Sequence, residues 1–433
     1  MDTSVLATIV LIGGFFFLMM LRIPITFSLL LATLGSALIG GTNLSVMVNQ
    51  MVLGANNVQL LAIPFFILMG EILAAGGMTD KIVALVNMAV GRLRGGLAYV
   101  NVLDSMFFGG ISGSAVADVS SLGSIVVPMM KKQGYKPEFA VGLTVTTACQ
   151  GVLIPPSHNM VIYAVSAGGA VTVGHMLIGG LLPGLLLGAA LMVLCALMAN
   201  HYHFPRGVRE DYKGRRLRII LSAVAPMMIF VIIMGGISAG IFTATESSAI
   251  ACTYTFLITY FVFRSAKLRD FGHVLRKSLK TLAIVMTLIA TAQAFAYMMT
   301  DLRIPEQITA ALLSLTHNRV LLLLIINLML LLLGCFMDMA PLIMIMTPIL
   351  LPVVTSPNIG MNPVHFGVML IFNLAVGLCT PPVGSALYVG CAVGKTTLEA
   401  TSRAMLPMYA TMLVALMLVT FVPFFSLWLP GLM

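Results

Sequence analysis

Apolar stretches of about twenty residues alternate with short polar segments along most of the chain, which fits helices long enough to cross about 30 Å of hydrocarbon. The runs predict spans near 4–21, 25–41, 58–77, 138–160, 174–199, 218–237, 246–263, 280–300, 364–385 and 404–428. The first apolar run, Ser4 to Gly41, would extend about 57 Å as one helix, so it is expected to turn back at Arg22-Ile23-Pro24. Two more apolar stretches, 98–130 and 320–352, carry turns at their centres. These turns, Gly109-Gly110-Ile111-Ser112-Gly113-Ser114 and Gly334-Cys335-Phe336-Met337-Asp338, are rich in glycine or followed by proline, so both stretches read as helical hairpins.

A double proline interrupts two of the spans, within Gln150-Gly151-Val152-Leu153-Ile154-Pro155-Pro156-Ser157-His158-Asn159 and Val376-Gly377-Leu378-Cys379-Thr380-Pro381-Pro382-Val383-Gly384-Ser385. Proline removes a backbone donor, and in hydrocarbon such a break survives only where protein buries it or it lines a wet cavity. The two prolines recur 226 residues apart, as do Met78 and Ile304, and Gly110 to Pro128 matches Gly334 to Pro352 at an offset of 224. Three anchors in one order at nearly one spacing mark a duplicated unit.

The sequence divides accordingly. Residues 1–57 form N-terminal scaffold helices and 58–200 a first repeat. Residues 201–217 are a basic loop, 218–279 further scaffold helices with a linker, and 280–433 a second repeat. Thr79 to Gly96 and its counterpart Pro305 to His317 read as interfacial helices.

With 60% hydrophobic and 9% charged residues, the 433-residue chain is no soluble globule. Charge orients it. If both hairpins enter and leave on one side, 21 of the 23 Lys and Arg residues share a face, which the positive-inside rule makes cytoplasmic, leaving Arg303 and Arg319 opposite. Both termini then lie on the outer side, and the two halves insert in opposite senses. The net charge of +9 needs no nucleic acid. No Lys or Arg precedes the first run and no small-residue cleavage site follows it, so no cleaved signal peptide is expected. The six cysteines show no metal-ligand spacing, so neither a disulfide nor a metal is inferred.

Hairpin turns and helix breaks meeting near the midplane make an inverted-repeat transporter plan. Unwound backbone offers carbonyls to a hard cation, helix N-termini suit an anion, and Ser112, Ser114, Ser157, Asn159, Thr380 and Ser385 add neutral oxygens. Glu71, Asp104, Asp118, Glu246 and Asp338 fall in or near apolar runs, where each carboxylate needs a partner. His158 in the first break raises proton coupling as an alternative. Gly110-Ile111-Ser112-Gly113 also matches the GxSG turn of intramembrane serine proteases, with His158 or His175 as base, although that reading explains neither the repeat nor the second hairpin. A non-catalytic scaffold or pump subunit is a third possibility, but pumps place lysines in mid-membrane lines, and nearly all lysines here read as loop residues.

Taken together, these turns and breaks, with Pro348 and Pro352, resemble the large membrane subunit of tripartite ATP-independent periplasmic (TRAP) transporters, within the wider ion-transporter superfamily. The resemblance covers essentially the whole chain. It implies an all-α polytopic membrane protein, not an enzyme: an inverted repeat with two re-entrant hairpins and two broken helices, moving as an elevator in the bacterial inner membrane. It implies sodium symport of a small organic anion, such as a C4-dicarboxylate, sialic acid or another sugar acid, with no cofactor beyond the coupling ion. The expected partners are a small four-helix membrane subunit and a periplasmic substrate-binding protein.

Carried over by position, one sodium site involves Ser112, Gly113, Ser114, Gly151, Pro155, Ser157 and Asn159; the other involves Gly334, Met337, Asp338, Gly377, Thr380 and Pro382. The anion is expected between the two turns, at Ser114, His158, Asn159, Asp338 and Ser385.

Overall fold

The computed structural model describes residues 3–202, 204, 216–316 and 318–433, and all regular structure among them is helical. Most of the predicted basic loop 201–217, including Arg206, Arg209, Lys213 and Arg215, lies outside the described residues, as does His317.

The chain begins with α1 (Thr3–Met20), α2 (Ile25–Gly40), α3 (Leu44–Ala55) and α4 (Ala62–Ala75). The reversal falls where the sequence placed it: Arg22 adopts a left-handed conformation (φ 63°), and Pro24 caps α2, where no intrahelical bond calls on its missing N–H. Then follow α5 (Met78–Val90), α6 (Gly96–Ser112), α7 (Ala115–Lys132), α8 (Pro137–Gly151), α9 (His158–Ser166) and α10 (Val173–His201). After α11 (Arg216–Ser238), α12 (Ala244–Leu257) and α13 (Phe271–Asp301) the succession recurs. α14 (Ile304–Leu315), α15 (Arg319–Gly334), α16 (Met339–Thr355), α17 (Pro363–Leu378) and α18 (Ser385–Gly394) match α5 to α9 in order. α19 (Leu398–Ala404), α20 (Leu406–Phe421) and α21 (Phe424–Leu427) come last.

Among the described residues, five helical stretches are long and apolar enough to cross a membrane: Thr3–Met20, Val58–Ala75, Val173–His201, Arg216–Ser238 and Leu268–Asp301. α2, α15, α16 and α17 are apolar but only 16 or 17 residues long.

Three expectations about elements need correction. The span expected at 404–428 is shorter, because its helix runs from Leu406 only to Phe421, and a 58° bend between α19 and α20 marks its start. Pro407, at the first turn of α20, cannot donate back into α19, and Pro423 ends the run. The span expected at 280–300 starts nine residues earlier, at Phe271, so Arg276, Lys277 and Lys280 are helical rather than in a loop, and the expected boundary at 279–280 lies inside a helix. Nothing between Gly272 and Asp301 breaks a helix, and long basic side chains reach polar surroundings from a helix end. α3, which no expected span covers, packs along α13 with Asn43 capping its first turn.

Buried polar contacts pin each hairpin to its broken helix. In the first copy the Asn101 amide donates to Thr144 Oγ1 at 2.7 Å, and Thr147 donates to Asn101 Oδ1 at 3.3 Å. In the second, the Asn373 amide donates to Asn327 Oδ1 at 2.9 Å. Asn327 and Asn373 follow Asn101 and Thr147 by the same 226 residues as the prolines. Packing also crosses between copies: α7 lies against α18, and α16 against α9. The Lys131 ammonium donates to the Gly394 carbonyl at the end of α18, a favourable place for a cation. Tyr163 of α9 donates to the Pro363 carbonyl at 2.7 Å.

Candidate functional site

Each turn is built by its own residues. Gly113 ends α6 at φ 64°, a conformation that glycine adopts without strain, and Ser114 caps α7 by accepting from the Ala117 N–H at 3.4 Å. Ser112 Oγ donates to Asp118 Oδ1 at 3.1 Å, with the Ser114 carbonyl at 3.4 Å, and accepts from the Ser114 N–H at 3.3 Å. The serine therefore fixes the turn. It makes no hydrogen bond to His158 or His175, and His175 pairs instead with Thr172 at 2.6 Å, so the protease pairing has no geometric support.

The breaks follow from proline chemistry. Both Pro155-Pro156 and Pro381-Pro382 peptide bonds are cis. Pro156 and Pro382 stand where helical continuation would need donors to the carbonyls of Val152 and Leu378. The Leu378 and Thr380 carbonyls lie close to Gly384 (φ 35°), and the Ile154 and Pro155 carbonyls face Gly110. The Val383 and Gly384 N–H groups donate to the Cys335 carbonyl at 3.2 and 3.4 Å, so the second break is tied to the second turn.

At both junctions backbone meets backbone. A methyl group on Gly151 would lie 2.6 Å from Gly109 Cα, and one on Gly377 would lie 2.7 Å from Gly334 Cα. A methyl on Gly113 would lie 2.7 Å from His158 Nδ1, so the imidazole covers the first turn.

One cavity of about 790 Å³ collects all four interruptions: Ser112 and Ser114 of the first turn, His158 and Asn159 beyond the first break, Asp338 and Met339 of the second turn, and Leu378 at the second break. Residues of α2, α4 and α13 complete the lining. The Asn159 amide points to the Met339 thioether at 3.9 Å, spanning the two copies.

The other candidates lie behind this surface. Ser157 Oγ is buried without a hydrogen-bond partner, Met337 is buried, and Pro382 is exposed. Thr380 Oγ1 donates to the Val376 carbonyl at 2.7 Å, which leaves its lone pairs free. Ser385 does not line the cavity; its buried hydroxyl lacks a partner, because the first turn of α18 carries it past the break.

Two participants were not assigned to the site from sequence. Asp118 is wholly buried, and its Oδ2 has no hydrogen-bond partner at the Gly109–Gly151 contact. Its place six residues after Ser112 was the available signal. Lys277 lines the cavity and pairs with Glu71 at 2.7 Å; a carboxylate in an apolar run pointed to such a partner without identifying it. Glu246, by contrast, completes a capping box with Thr243 at the start of α12.

A family model described as the DctM component of the tripartite ATP-independent periplasmic transporter matches residues 12–425. The C4-dicarboxylate TRAP transporter large permease protein DctM of Pseudomonas aeruginosa is 38% identical over 372 residues, 86% of each chain. The sialic acid TRAP transporter large permease protein SiaM of Vibrio cholerae is 34% identical over 425 residues, 97% of this chain and 98% of that one. The crystal structure of the Alcanivorax borkumensis YdaH transporter shares the fold at a TM-score of 0.64 and 13% identity, over 89% of both chains.

Proposed function

The chain belongs to the DctM family, the large permease subunits of TRAP transporters, and on that premise we propose that it imports a small organic anion by sodium symport. The substrate class is a C4-dicarboxylate, sialic acid or another sugar acid, in keeping with the names of its relatives. A periplasmic binding protein delivers the substrate, and a small membrane subunit extends the scaffold. α6–α7 and α15–α16 act as re-entrant hairpins. Together with the broken helices α8–α9 and α17–α18 they form the moving body, which slides as an elevator against a scaffold of α1 to α4 and α11 to α13 in the inner membrane. The basic loops face the cytoplasm and both termini the periplasm.

The carrying observation is that both turns and both breaks reach one cavity. Carbonyls released by the prolines, with Ser112, Ser114, Asn159 and Thr380, supply oxygen ligands that suit a weakly held hard cation. Sodium on each side of the cavity would raise the local positive potential, so the anion binds better when the cations are in place; that is symport expressed as coupled binding. Ser114, His158, Asn159 and Asp338 stand where the anion would lie between the turns.

The test is uptake into proteoliposomes with the cognate binding protein and small subunit, comparing sodium and proton gradients. Sodium alone should drive uptake, and Ser112→Ala, Asp338→Ala and Thr380→Val should weaken the sodium dependence. Uptake that proceeds equally without sodium and is untouched by the three changes would remove the ion sites from the proposal.

A further inference from the structure

Resting on the permease reading above, we propose that Lys277 and the serine face of α7 form a second subsite, on the release path, for a carboxylate that also carries hydroxyl groups. Lys277 is the one lysine or arginine among the described residues lining the cavity. Its ammonium lies 2.7 Å from Glu71, yet its side chain is 62% exposed while that of Glu71 is 20% exposed. An ammonium has three N–H donors, so Glu71 holds the group at the wall while the others remain open to an anion in the cavity. The pair joins α4 to α13 and lines the same cavity as the hairpin turns, so an anion leaving the turns can meet it there.

The hydroxyl-bearing part of the lining differs in kind. Ser120 and Ser121 line the cavity on α7 and donate to the carbonyls of Val116 at 2.7 Å and Ala117 at 2.9 Å. Thr281, one turn after Lys277, likewise donates to the Lys277 carbonyl at 3.3 Å. With their protons committed to the helix, these hydroxyls show only lone pairs to the cavity, and lone pairs accept from a substrate O–H but oppose a carboxylate. A dicarboxylate without hydroxyls would find one cation and a wall of acceptors. A hydroxylated monocarboxylate satisfies both surfaces.

Thermal-shift titration of the purified full-length chain in sodium buffer tests this, with gluconate, glucuronate and N-acetylneuraminate set against succinate and fumarate. At least one hydroxylated monocarboxylate should stabilise the protein and neither plain dicarboxylate should. Lys277→Gln should weaken that binding tenfold or more, and Ser120→Ala/Ser121→Ala should weaken it several-fold. If Lys277→Gln fails to fold, the double serine variant carries the same expectation. The charge swap Glu71→Lys/Lys277→Glu should regain the wild-type melting temperature without ligand but not the binding; recovery of binding would make the pair a strut and overturn the subsite. Sodium-dependent binding of a plain dicarboxylate alone would also overturn it while leaving the permease reading intact. If no acid of either kind binds and none is taken up under a sodium gradient with the partner proteins, both fall.

Discussion

Adding a methyl group at the glycine contacts tests the site most directly, because the structure ranks four such changes in advance. Gly151→Ala would place a carbon 2.6 Å from Gly109 Cα and Gly377→Ala one 2.7 Å from Gly334 Cα, in both cases against main chain that has no rotamer to yield. Ordinary carbon contacts begin near 3.5 Å, so each change must part a hairpin turn from its break by roughly 1 Å. Gly334→Ala meets Gly377 Cα at 3.3 Å and needs only a few tenths of an ångström, while Gly235→Ala meets nothing within 4 Å. Overpacking of this kind costs about 1–3 kcal/mol, or roughly 5- to 150-fold in an equilibrium at 1.4 kcal/mol per decade. Alanine should instead stabilise a helix interior at position 235 by about 0.5–1 kcal/mol. Half-saturating sodium, measured by uptake at fixed substrate, should rise in the order Gly235→Ala, Gly334→Ala, Gly377→Ala, with Gly151→Ala at least as impaired. Melting temperatures of the purified proteins would separate this from general unfolding. Sodium affinity in Gly151→Ala and Gly377→Ala equal to that of Gly235→Ala would refute the idea that turn and break jointly shape the ion sites.

Asp118→Asn keeps the shape but replaces a buried carboxyl oxygen beside Gly151 with an amide nitrogen that cannot ligate a cation, and should raise half-saturating sodium about tenfold, some 1.4 kcal/mol, with little change in melting temperature; an unaltered sodium curve would leave Asp118 a structural residue. Asn327→Leu removes the side-chain acceptor of the buried Asn373 amide, leaving it only the Asn327 backbone carbonyl, and should destabilise by about 1 kcal/mol, while Asn327→Leu/Asn373→Leu should recover part of that loss; calorimetry of the two variants decides. A cysteine at Ser121, on the cavity wall, should react with a membrane-impermeant maleimide in inside-out vesicles and resist it in right-side-out cells. The opposite pattern would reverse the orientation of the cavity.

Much of this was legible because its causes are local. A double proline breaks a helix whatever surrounds it, and a glycine before a serine cap makes a turn, so the positions of α6 to α9 and α15 to α18 follow from short stretches of sequence. Residues whose role depends on a partner in another helix were hidden. Asn101 and Thr147 lie 46 residues apart, and neither has a local signature; only their recurrence as Asn327 and Asn373 could have exposed them. Lys277 looked like a loop residue because charge is commonly read as a boundary, whereas the helix continues past it toward the cavity rim. Ser385 looked like a ligand because it follows the break, but its placement depends on how the next helix leaves that break.

The reciprocal packing of α7 on α18 and of α16 on α9 bears on ancestry. Each half supplies the wall that the other half lacks, so a single-copy ancestor would have left those faces bare unless two molecules met head to tail. Fusing two such copies into one chain would convert an encounter between separate polypeptides into a permanent one. The modern chain, severed between α10 and α11 and expressed as two fragments, should regain activity only when both fragments are present in the same cell.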